Sequence, residues 1–229
     1  MSERVSQHGL PSPAPSALMH AVAAALHPAS PSLGNVIGRM LPTSQDVFEA
    51  MAHDMEGARR EVLFQTFIWN DRTWPACRLR GALEALERRR SRPPVVVHLM
   101  VRHRPLVGVA SQSVSALRRL IARLDPRYLE VQLWRHYERG FGALHSKSLV
   151  VDGERALITG ANPQRGSDLP TPWADTGFAL RGPIVGSLRQ DLLTVRRCSI
   201  LIASNGGPRL TRPPLVPPPL PIPGGVPMV

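Results

Sequence analysis

Residues 144–162 read LHSKSLVVDGERALITGAN and carry the most specific pattern in the chain. Branched apolar residues on both sides of an Asp-Gly pair predict a strand, a turn at Asp152 and a second strand. Alternate residues of a strand face the same side, so His145 and Lys147 are predicted to project together. Because the hairpin returns the chain, Asn162, beyond the second strand, is expected to lie near His145.

These three side chains form a combination that suits a phosphate group. The Lys147 ammonium supplies a positive charge, the Asn162 amide supplies N–H donors, and a neutral His145 can attack phosphorus. Lys147 is also the one lysine among 28 basic residues. A lysine at this position favours a requirement for a compact ammonium that a planar guanidinium does not meet, and the alternative is that the single lysine falls here by chance.

Helices and short apolar strands are predicted to alternate before this segment. Apolar residues recur at helical spacing after Thr43, a residue type that caps helices, and Asp46 stands three positions on. Further strands are predicted at 61–69, 95–101 and 129–134, and further helices at 79–90 and 113–124. This alternation predicts a layered α/β domain with a mixed, largely parallel sheet.

Both ends of the chain differ in composition from the middle. Residues 1–33 are rich in Ser, Pro, Ala and His and are predicted to form a disordered arm. Residues 201–229 are rich in Pro and Gly and are predicted to form a disordered tail, since proline lacks the amide donor of helices and sheets. A polyproline ligand segment is the alternative for this tail. Residues 34–200 are predicted to form one lobe.

The composition indicates an anionic partner. With 28 basic and 17 acidic residues the formal net charge is +11, which favours phospholipid headgroups or nucleic acid without naming either. Cys77 and Cys198 are too few for a disulfide-dense scaffold or a four-cysteine zinc site. No stretch reaches the roughly 20 apolar residues of a membrane-spanning helix. We therefore expect a cytoplasmic protein that is able to contact an anionic membrane face peripherally.

The pattern His-x-Lys-x4-Asp followed by Gly-x-Asn resembles the signature of the phospholipase D superfamily. Its residues here are His145, Lys147, Asp152, Gly160 and Asn162. Many members have Ser where Gly160 stands, a departure that bears on a phosphate contact and leaves the nucleophile in place. The segments 47–69, 173–175 and 182–185 resemble parts of the first lobe of bacterial cardiolipin-synthase-like enzymes. The resemblance covers roughly residues 34–195 and implies an α/β/α phospholipase D-like lobe.

The resemblance also implies a phosphodiester exchange in two steps, without a metal or another cofactor. His145 attacks phosphorus and forms a phosphohistidine, while a histidine from a second copy of the motif protonates the leaving oxygen. Lys147, Asn162 and Gly160 are assigned to phosphate binding.

Carboxylates complete the implied catalytic set. The family orients the nucleophilic histidine with a downstream carboxylate, for which Asp175 is the first candidate here and Asp168 the second. Asp152 is counted with the catalytic motif, and its position beside Gly153 favours a turn and scaffold role over proton transfer.

The chain contains one copy of the motif, which leaves two hypotheses for the second histidine. Two chains pair, as in the single-motif nucleases of the superfamily, or the chain is the first lobe of a two-motif enzyme whose second lobe is absent. The resemblance of the flanking segments favours the second hypothesis.

The flanking resemblance also favours a phospholipid substrate, with hydrolysis or transfer as the reaction. A nuclease is the alternative, in which residues 88–90, or Arg102 with Arg104, bind a nucleic-acid backbone. Aromatic residues make up only 5% of the chain, so stacking on bases is not indicated. A third hypothesis is a catalytically incomplete lobe that binds phosphate-bearing surfaces.

Overall fold

The computed structural model describes residues 32–102, 113–136, 145–168, 170, 173–206, 216–223 and 225–228. Within them, nine strands form one sheet and four α-helices pack on it. The strands are β1 (Ser32–Leu41), β2 (Glu61–Thr66), β3 (Val95–Arg102), β4 (Leu129–His136), β5 (Ser148–Val151), β6 (Arg155–Thr159), β7 (Gly177–Arg181), β8 (Ser199–Ser204) and β9 (Val226–Met228). The helices are α1 (Ser44–Glu56), α2 (Trp74–Arg88), α3 (Ser115–Ile121) and α4 (Ile184–Arg197). None of these helices has both the length and the apolar character needed to cross a membrane.

Two helix starts illustrate how local sequence sets the elements. At α1, Thr43 Oγ1 accepts a hydrogen bond from the Asp46 N–H at 3.2 Å, which is the predicted cap. Helix α2 begins at Trp74, five residues before the predicted start at 79. Pro75 fits the first helical turn because the amide that proline lacks has no partner there.

The sheet is mixed, as predicted, but few of its strand pairs are parallel. The strand order is β8-β4-β3-β2-β5-β6-β7-β1-β9, and only the pairs β2–β3 and β3–β4 are parallel. The other six pairs are antiparallel, so the expectation of a largely parallel sheet is wrong. Parallel neighbours need long crossovers, which contain α2 and α3, whereas the tight turn between β5 and β6 permits only antiparallel pairing.

Alternate residues of the central strands enter two separate cores. Phe64 and Leu99 belong to the core beneath α1, α2 and α3, whereas Leu63 and Met100 belong to the core beneath α4. Every residue of β3 is buried, as expected for a central strand covered on both faces. The predicted α/β/α layering is therefore confirmed.

An ion pair is buried between α4 and the sheet. Arg189 donates to the two carboxylate oxygens of Glu61 through Nε at 2.6 Å and Nη2 at 2.9 Å. Paired hydrogen bonds of this kind offset much of the desolvation cost of burying two charges. Nearby, burial and the charge of Arg196 lower the pKa of His98 to about 3, so this histidine is a neutral residue of the core.

The strand directions bring many strand ends to one edge of the sheet, which we call the upper edge. It contains the carboxyl ends of β2, β3, β4 and β6 and the amino ends of β5, β7 and β8. The opposite edge, called the lower edge, contains the turn between β5 and β6 and the carboxyl end of α2. The topology therefore places residues 145–147 and 160–162 at the same edge.

Part of the predicted disordered tail is ordered against the lobe. Strand β8 pairs with β4, and β9 is the outermost strand beside β1. Pro227 is tolerated in β9 because an edge strand has N–H positions that need no partner in the sheet. The proline-rich segment 216–223 packs against glycines that leave room for it, namely Gly34, Gly153 and Gly186. The expectation of a disordered tail from residue 201 is thus wrong for these segments. Residues 1–31 of the predicted N-terminal arm lie outside the described residues.

Candidate active site

His145 and Lys147 lie at the upper edge, immediately before β5. The predicted strand from 144 starts only at Ser148, so neither residue belongs to it. Lys147 Nζ lies 3.1 Å from His145 Nδ1 and 3.2 Å from His145 Nε2, and it donates to the His145 carbonyl oxygen at 2.5 Å. Lys147 is only 5% exposed, whereas the His145 side chain is exposed. The structure therefore places a buried ammonium directly beneath an accessible imidazole.

The ring of Phe67 joins this pair to a second cation. The Phe67 and His145 ring centroids are 4.8 Å apart, and Lys147 Nζ lies 5.3 Å from the Phe67 centroid. The guanidinium carbon of Arg102, at the end of β3, lies 4.5 Å from the same centroid. Both cations are within the range of favourable interaction with an aromatic ring. Sequence reasoning treated Phe67 only as a strand residue and Arg102 only as part of a nucleic-acid patch, because nothing in their spacing links them to His145.

The surroundings of His145 favour its neutral form. Partial burial lowers the pKa of His145, and the positive charges of Lys147 and Arg102 lower it further. Near neutral pH the ring therefore carries an unprotonated nitrogen, which is the form that can act as a nucleophile.

Replacing Arg102 by glutamine is expected to raise the pKa of His145. The substitution removes a positive charge that disfavours the protonated ring, while Lys147 remains. The measurement is an NMR titration of the His145 ring protons in the wild type and the variant. Arg135→Gln is the matched control, since Arg135 also lies near the upper edge but is not among the charges acting on His145. An unchanged or lower His145 pKa in Arg102→Gln would contradict the electrostatic assignment.

Asn162 is held at the site by its side-chain oxygen. Asn162 Oδ1 accepts hydrogen bonds from Thr66 Oγ1 at 3.2 Å and from the Ile68 N–H at 3.1 Å. These two residues flank Phe67, whose ring contacts His145, so the end of β2 joins both pieces of the motif. With the oxygen occupied in this way, the amide nitrogen is the end of the group that remains for donating to an anion.

Asp175 lies beside Lys147 and Gly160. Burial lowers the pKa of Lys147, and the negative charge of Asp175 acts against this shift. A Cβ on Gly160 would lie 2.9 Å from Asp175 Oδ1, so the glycine leaves room for the carboxylate. In the described part of the chain no hydrogen bond joins Asp175 to His145. The geometry thus connects Asp175 to the ammonium, and its predicted role in orienting the histidine stays a prediction.

The two other predicted carboxylates accept hydrogen bonds from backbone N–H groups. Asp168 Oδ1 accepts a hydrogen bond from the Trp74 N–H at 2.7 Å and so caps α2, and its second-choice role as the orienting carboxylate stays a prediction. Asp152 lies at the lower edge, at the far end of β5 from His145. Its carboxylate accepts hydrogen bonds from the backbone N–H groups of Arg59, Arg60 and Glu61. The inclusion of Asp152 in the catalytic set is therefore corrected, because its contacts are those of a scaffold residue.

The arginines of the predicted nucleic-acid patch are separated in the structure. Arg88 ends α2 at the lower edge, and Arg89 and Arg90 follow it. Arg89 donates to the carbonyl oxygens of Glu56 and Ala58. These three residues cannot serve a site at the upper edge. Arg102 lies within the site, and Arg104 is outside the described residues. Within the described ranges no group of three or more His, Cys, Asp or Glu residues could hold a metal ion.

The comparisons with known proteins identify the fold. No family model and no curated protein matches the sequence. The phospholipase D family member Nuc from Salmonella typhimurium matches the structure with a TM-score of 0.51 at 13% identity, over 76% of this chain and 99% of that chain. The chain has the phospholipase D fold. NucT from Helicobacter pylori matches with a TM-score of 0.50 at 11% identity, over 73% of this chain and 98% of that chain.

The shared fold confirms the fold that was expected from the resemblance of the motif residues. The two matched chains are covered almost completely, so each corresponds to a single lobe of the kind described here. At these low identities, the likeness concerns the arrangement of strands and helices. Evidence about the chemistry therefore comes from the geometry of His145, Lys147 and Asn162 and not from the fold.

Proposed function

We propose that the chain is a phosphodiesterase in which His145 forms a transient covalent bond to phosphorus. The observation that carries the proposal is the contact of an accessible, neutral His145 with the buried Lys147 ammonium beside Asn162. A nucleophile next to groups that bind anions is the arrangement that phosphoryl transfer needs.

In the first step a ring nitrogen of His145 bonds phosphorus as the bond from phosphorus to the leaving oxygen breaks. Lys147 and the Asn162 amide nitrogen contact the nonbridging oxygens, and Arg102 adds positive charge at the same edge. A second histidine gives its proton to the leaving oxygen. That histidine then removes a proton from water or an acceptor alcohol, whose oxygen displaces His145 from phosphorus.

The second histidine is proposed to come from a second copy of the chain. His136 is the other described histidine at the upper edge, but it lies two strands from β2, and its Nδ1 is 3.1 Å from Ser199 Oγ on β8. The nearly complete coverage of two single-lobe neighbours supports pairing of chains over a missing second lobe. Exposed Met40 and Phe178 face each other across β1 and β7 near the upper edge, which offers an apolar surface for such a partner.

Mixed dimers test the shared site. Wild type and His145→Ala are denatured together in equal amounts, refolded, and assayed with bis(p-nitrophenyl) phosphate. If each site needs histidines from both chains, only wild-type dimers are active, and activity falls to about a quarter of that of the same total amount of wild-type protein. A fall to about one half would indicate that each chain works alone and would overturn the pairing proposal. A wild-type protein without activity in this assay would overturn the phosphodiesterase proposal itself.

The substrate class remains a proposal within this reaction. The prediction of a phospholipid substrate, with cardiolipin-synthase-like chemistry and peripheral membrane contact, rests on the resemblance of flanking segments. Release of headgroups from anionic liposomes would support it, and cleavage of nucleic acid would support the nuclease alternative. Binding of anionic liposomes without turnover of either substrate would support the incomplete-lobe hypothesis.

A further inference from the structure

A polar cavity of about 430 Å³ opens at the upper edge beside Asn162. Its lining residues are Asn70, Arg72, Thr73, Ser113, Arg165 and Asp168. Two loops form most of its wall, one after β2 and one after β6. The loops are hydrogen-bonded to each other, since the Asn70 N–H donates to the Pro163 carbonyl oxygen at 2.7 Å and the Ile68 N–H donates to Asn162 Oδ1.

The loop that carries Arg72 is held firmly in place. The buried Asp71 carboxylate accepts hydrogen bonds from the Ala116 N–H at 2.6 Å, the Leu117 N–H at 3.2 Å and Trp69 Nε1 at 2.9 Å. The Arg72 N–H donates to Asn70 Oδ1. Arg72 is therefore presented from a preorganised backbone, which reduces the entropy lost when its side chain binds a ligand.

The two arginines of the cavity have no carboxylate partner among the described residues. Arg72 and Arg165 are both exposed. The one acidic group of the lining, Asp168, has an oxygen committed to the Trp74 N–H. The cavity thus contains two guanidinium groups available for an anion, and arginine is well suited to phosphate because its planar fork donates two hydrogen bonds.

An exposed aromatic ring lies next to this cavity. Trp173 is 58% exposed, and its ring covers Gly166, where a Cβ would lie 2.3 Å from the indole. The Trp173 N–H also donates to the Gly166 carbonyl oxygen at 2.7 Å. Gly166 follows Arg165 directly, so a flat apolar surface stands beside a cation. Proteins that bind single-stranded nucleic acids use this combination, in which a base stacks on the ring and a phosphate contacts the cation.

The position of the cavity relates it to the candidate active site. Arg165 is three residues beyond Asn162, a separation of at most about 10 Å along the chain. Trp173 is two residues before Asp175. A phosphodiester bound at His145 therefore has the cavity and the tryptophan within the reach of adjoining nucleotides.

We propose that Arg72, Arg165 and Trp173 form a subsite for the nucleotides that flank the cleaved phosphodiester, so that the substrate is a single-stranded nucleic acid. This inference rests on the proposed phosphodiesterase function and names its substrate class. Arg72 and Arg165 bind neighbouring phosphates, and Trp173 stacks on one base. A phospholipid with one phosphodiester has no group for this subsite.

The test measures binding of a fluorescein-labelled thymidine pentanucleotide to His145→Ala, which prevents turnover. Adding Arg72→Gln and Arg165→Gln is expected to weaken binding about tenfold or more at 0.1 M salt. The slope of log affinity against log salt is expected to fall by about 0.7 for each arginine. Adding Trp173→Ala instead weakens binding about tenfold and leaves the salt slope unchanged. The matched control is Arg88→Gln with Arg123→Gln, two arginines that line a cavity away from the upper edge.

Three outcomes would overturn the subsite. The first is an unchanged salt slope in the Arg72→Gln/Arg165→Gln protein, and the second is an equal loss in the Arg88→Gln/Arg123→Gln control. The third is that the Arg72→Gln/Arg165→Gln protein loses binding to phosphatidylglycerol vesicles but keeps binding to the pentanucleotide, which would assign the arginines to a lipid surface.

Hydrolysis of bis(p-nitrophenyl) phosphate by protein that retains His145 separates the subsite proposal from the phosphodiesterase proposal. If the wild type hydrolyses this small diester and the pentanucleotide results fail, the subsite alone is wrong. If hydrolysis fails and the pentanucleotide results hold, the binding subsite stands and the phosphodiesterase function is wrong.

Discussion

Alanine in place of His145 is expected to lower kcat for bis(p-nitrophenyl) phosphate by about 10⁴-fold or more. His145 is the one described side chain that combines a nucleophilic nitrogen with contacts to Lys147 and Phe67. Without it the covalent step has no nucleophile, and Lys147 and Asn162 only bind the substrate. The measurement is initial rates at saturating substrate, with circular dichroism to verify that the variant is folded.

The control for this prediction is His53→Ala. His53 is an exposed histidine of α1, so its replacement removes a similar side chain without touching the site. We expect this control to keep wild-type kcat and the wild-type fold. If His145→Ala retained more than about a tenth of wild-type kcat, the covalent mechanism would be wrong, because loss of a nucleophile has a far larger effect.

The second large effect concerns stability. Alanine in place of Asp152 is expected to lower the free energy of unfolding by about 3–5 kcal/mol. The Asp152 carboxylate is buried and accepts hydrogen bonds from the backbone N–H groups of Arg59, Arg60 and Glu61, which would lose their partner. Asp152 also has φ +56°, a left-handed conformation that alanine adopts less readily than aspartate or asparagine.

Urea denaturation of the two proteins measures this effect. Glu154→Ala in the same turn is the control, because Glu154 makes only an exposed ion pair with Arg60, and we expect a change of about 0.5 kcal/mol or less. The variant Asp152→Asn distinguishes a structural role of Asp152 from a catalytic one. Asparagine has nearly the same shape and also adopts the left-handed backbone conformation, but it has no charge. We expect this variant to keep kcat within about threefold of wild type, because Asp152 lies at the opposite edge of the sheet from His145. A loss of about 100-fold or more in a folded Asp152→Asn protein would return Asp152 to the catalytic set.

The local elements of the fold followed from the sequence with small errors. Strand β3 was predicted at 95–101 and spans Val95–Arg102, and the Thr43 cap was predicted at the start of α1. Side-chain spacing, capping and proline positions act within a few residues, so each leaves a readable pattern. The direction in which two strands pair leaves no such local pattern, because it depends on which strands become neighbours in the folded sheet. For that reason the sheet was expected to be largely parallel, whereas most of its pairs are antiparallel.

The proline-rich end of the chain shows the same limit. Its composition predicted disorder, yet segment 216–223 packs on the lobe and β9 pairs with β1. The contact depends on Gly34, Gly153 and Gly186, three residues far apart in sequence that together leave a path for prolines. Composition describes a segment alone and contains no information about a complementary surface elsewhere.

By itself, the sequence located the residues that are proposed to perform the chemistry of this protein. Residues 145–162 contain the histidine, the lysine and the asparagine in one short stretch, because a hairpin needs few residues to bring them to the same edge. Tertiary structure alone decided which other groups surround them. Phe67 directly after β2 contacts the His145 ring, Arg102 at the end of β3 lies over Phe67, and Arg72 and Arg165 line the same cavity from two hydrogen-bonded loops. Such neighbours are separated by tens of residues, and only the packing of the sheet brings them together.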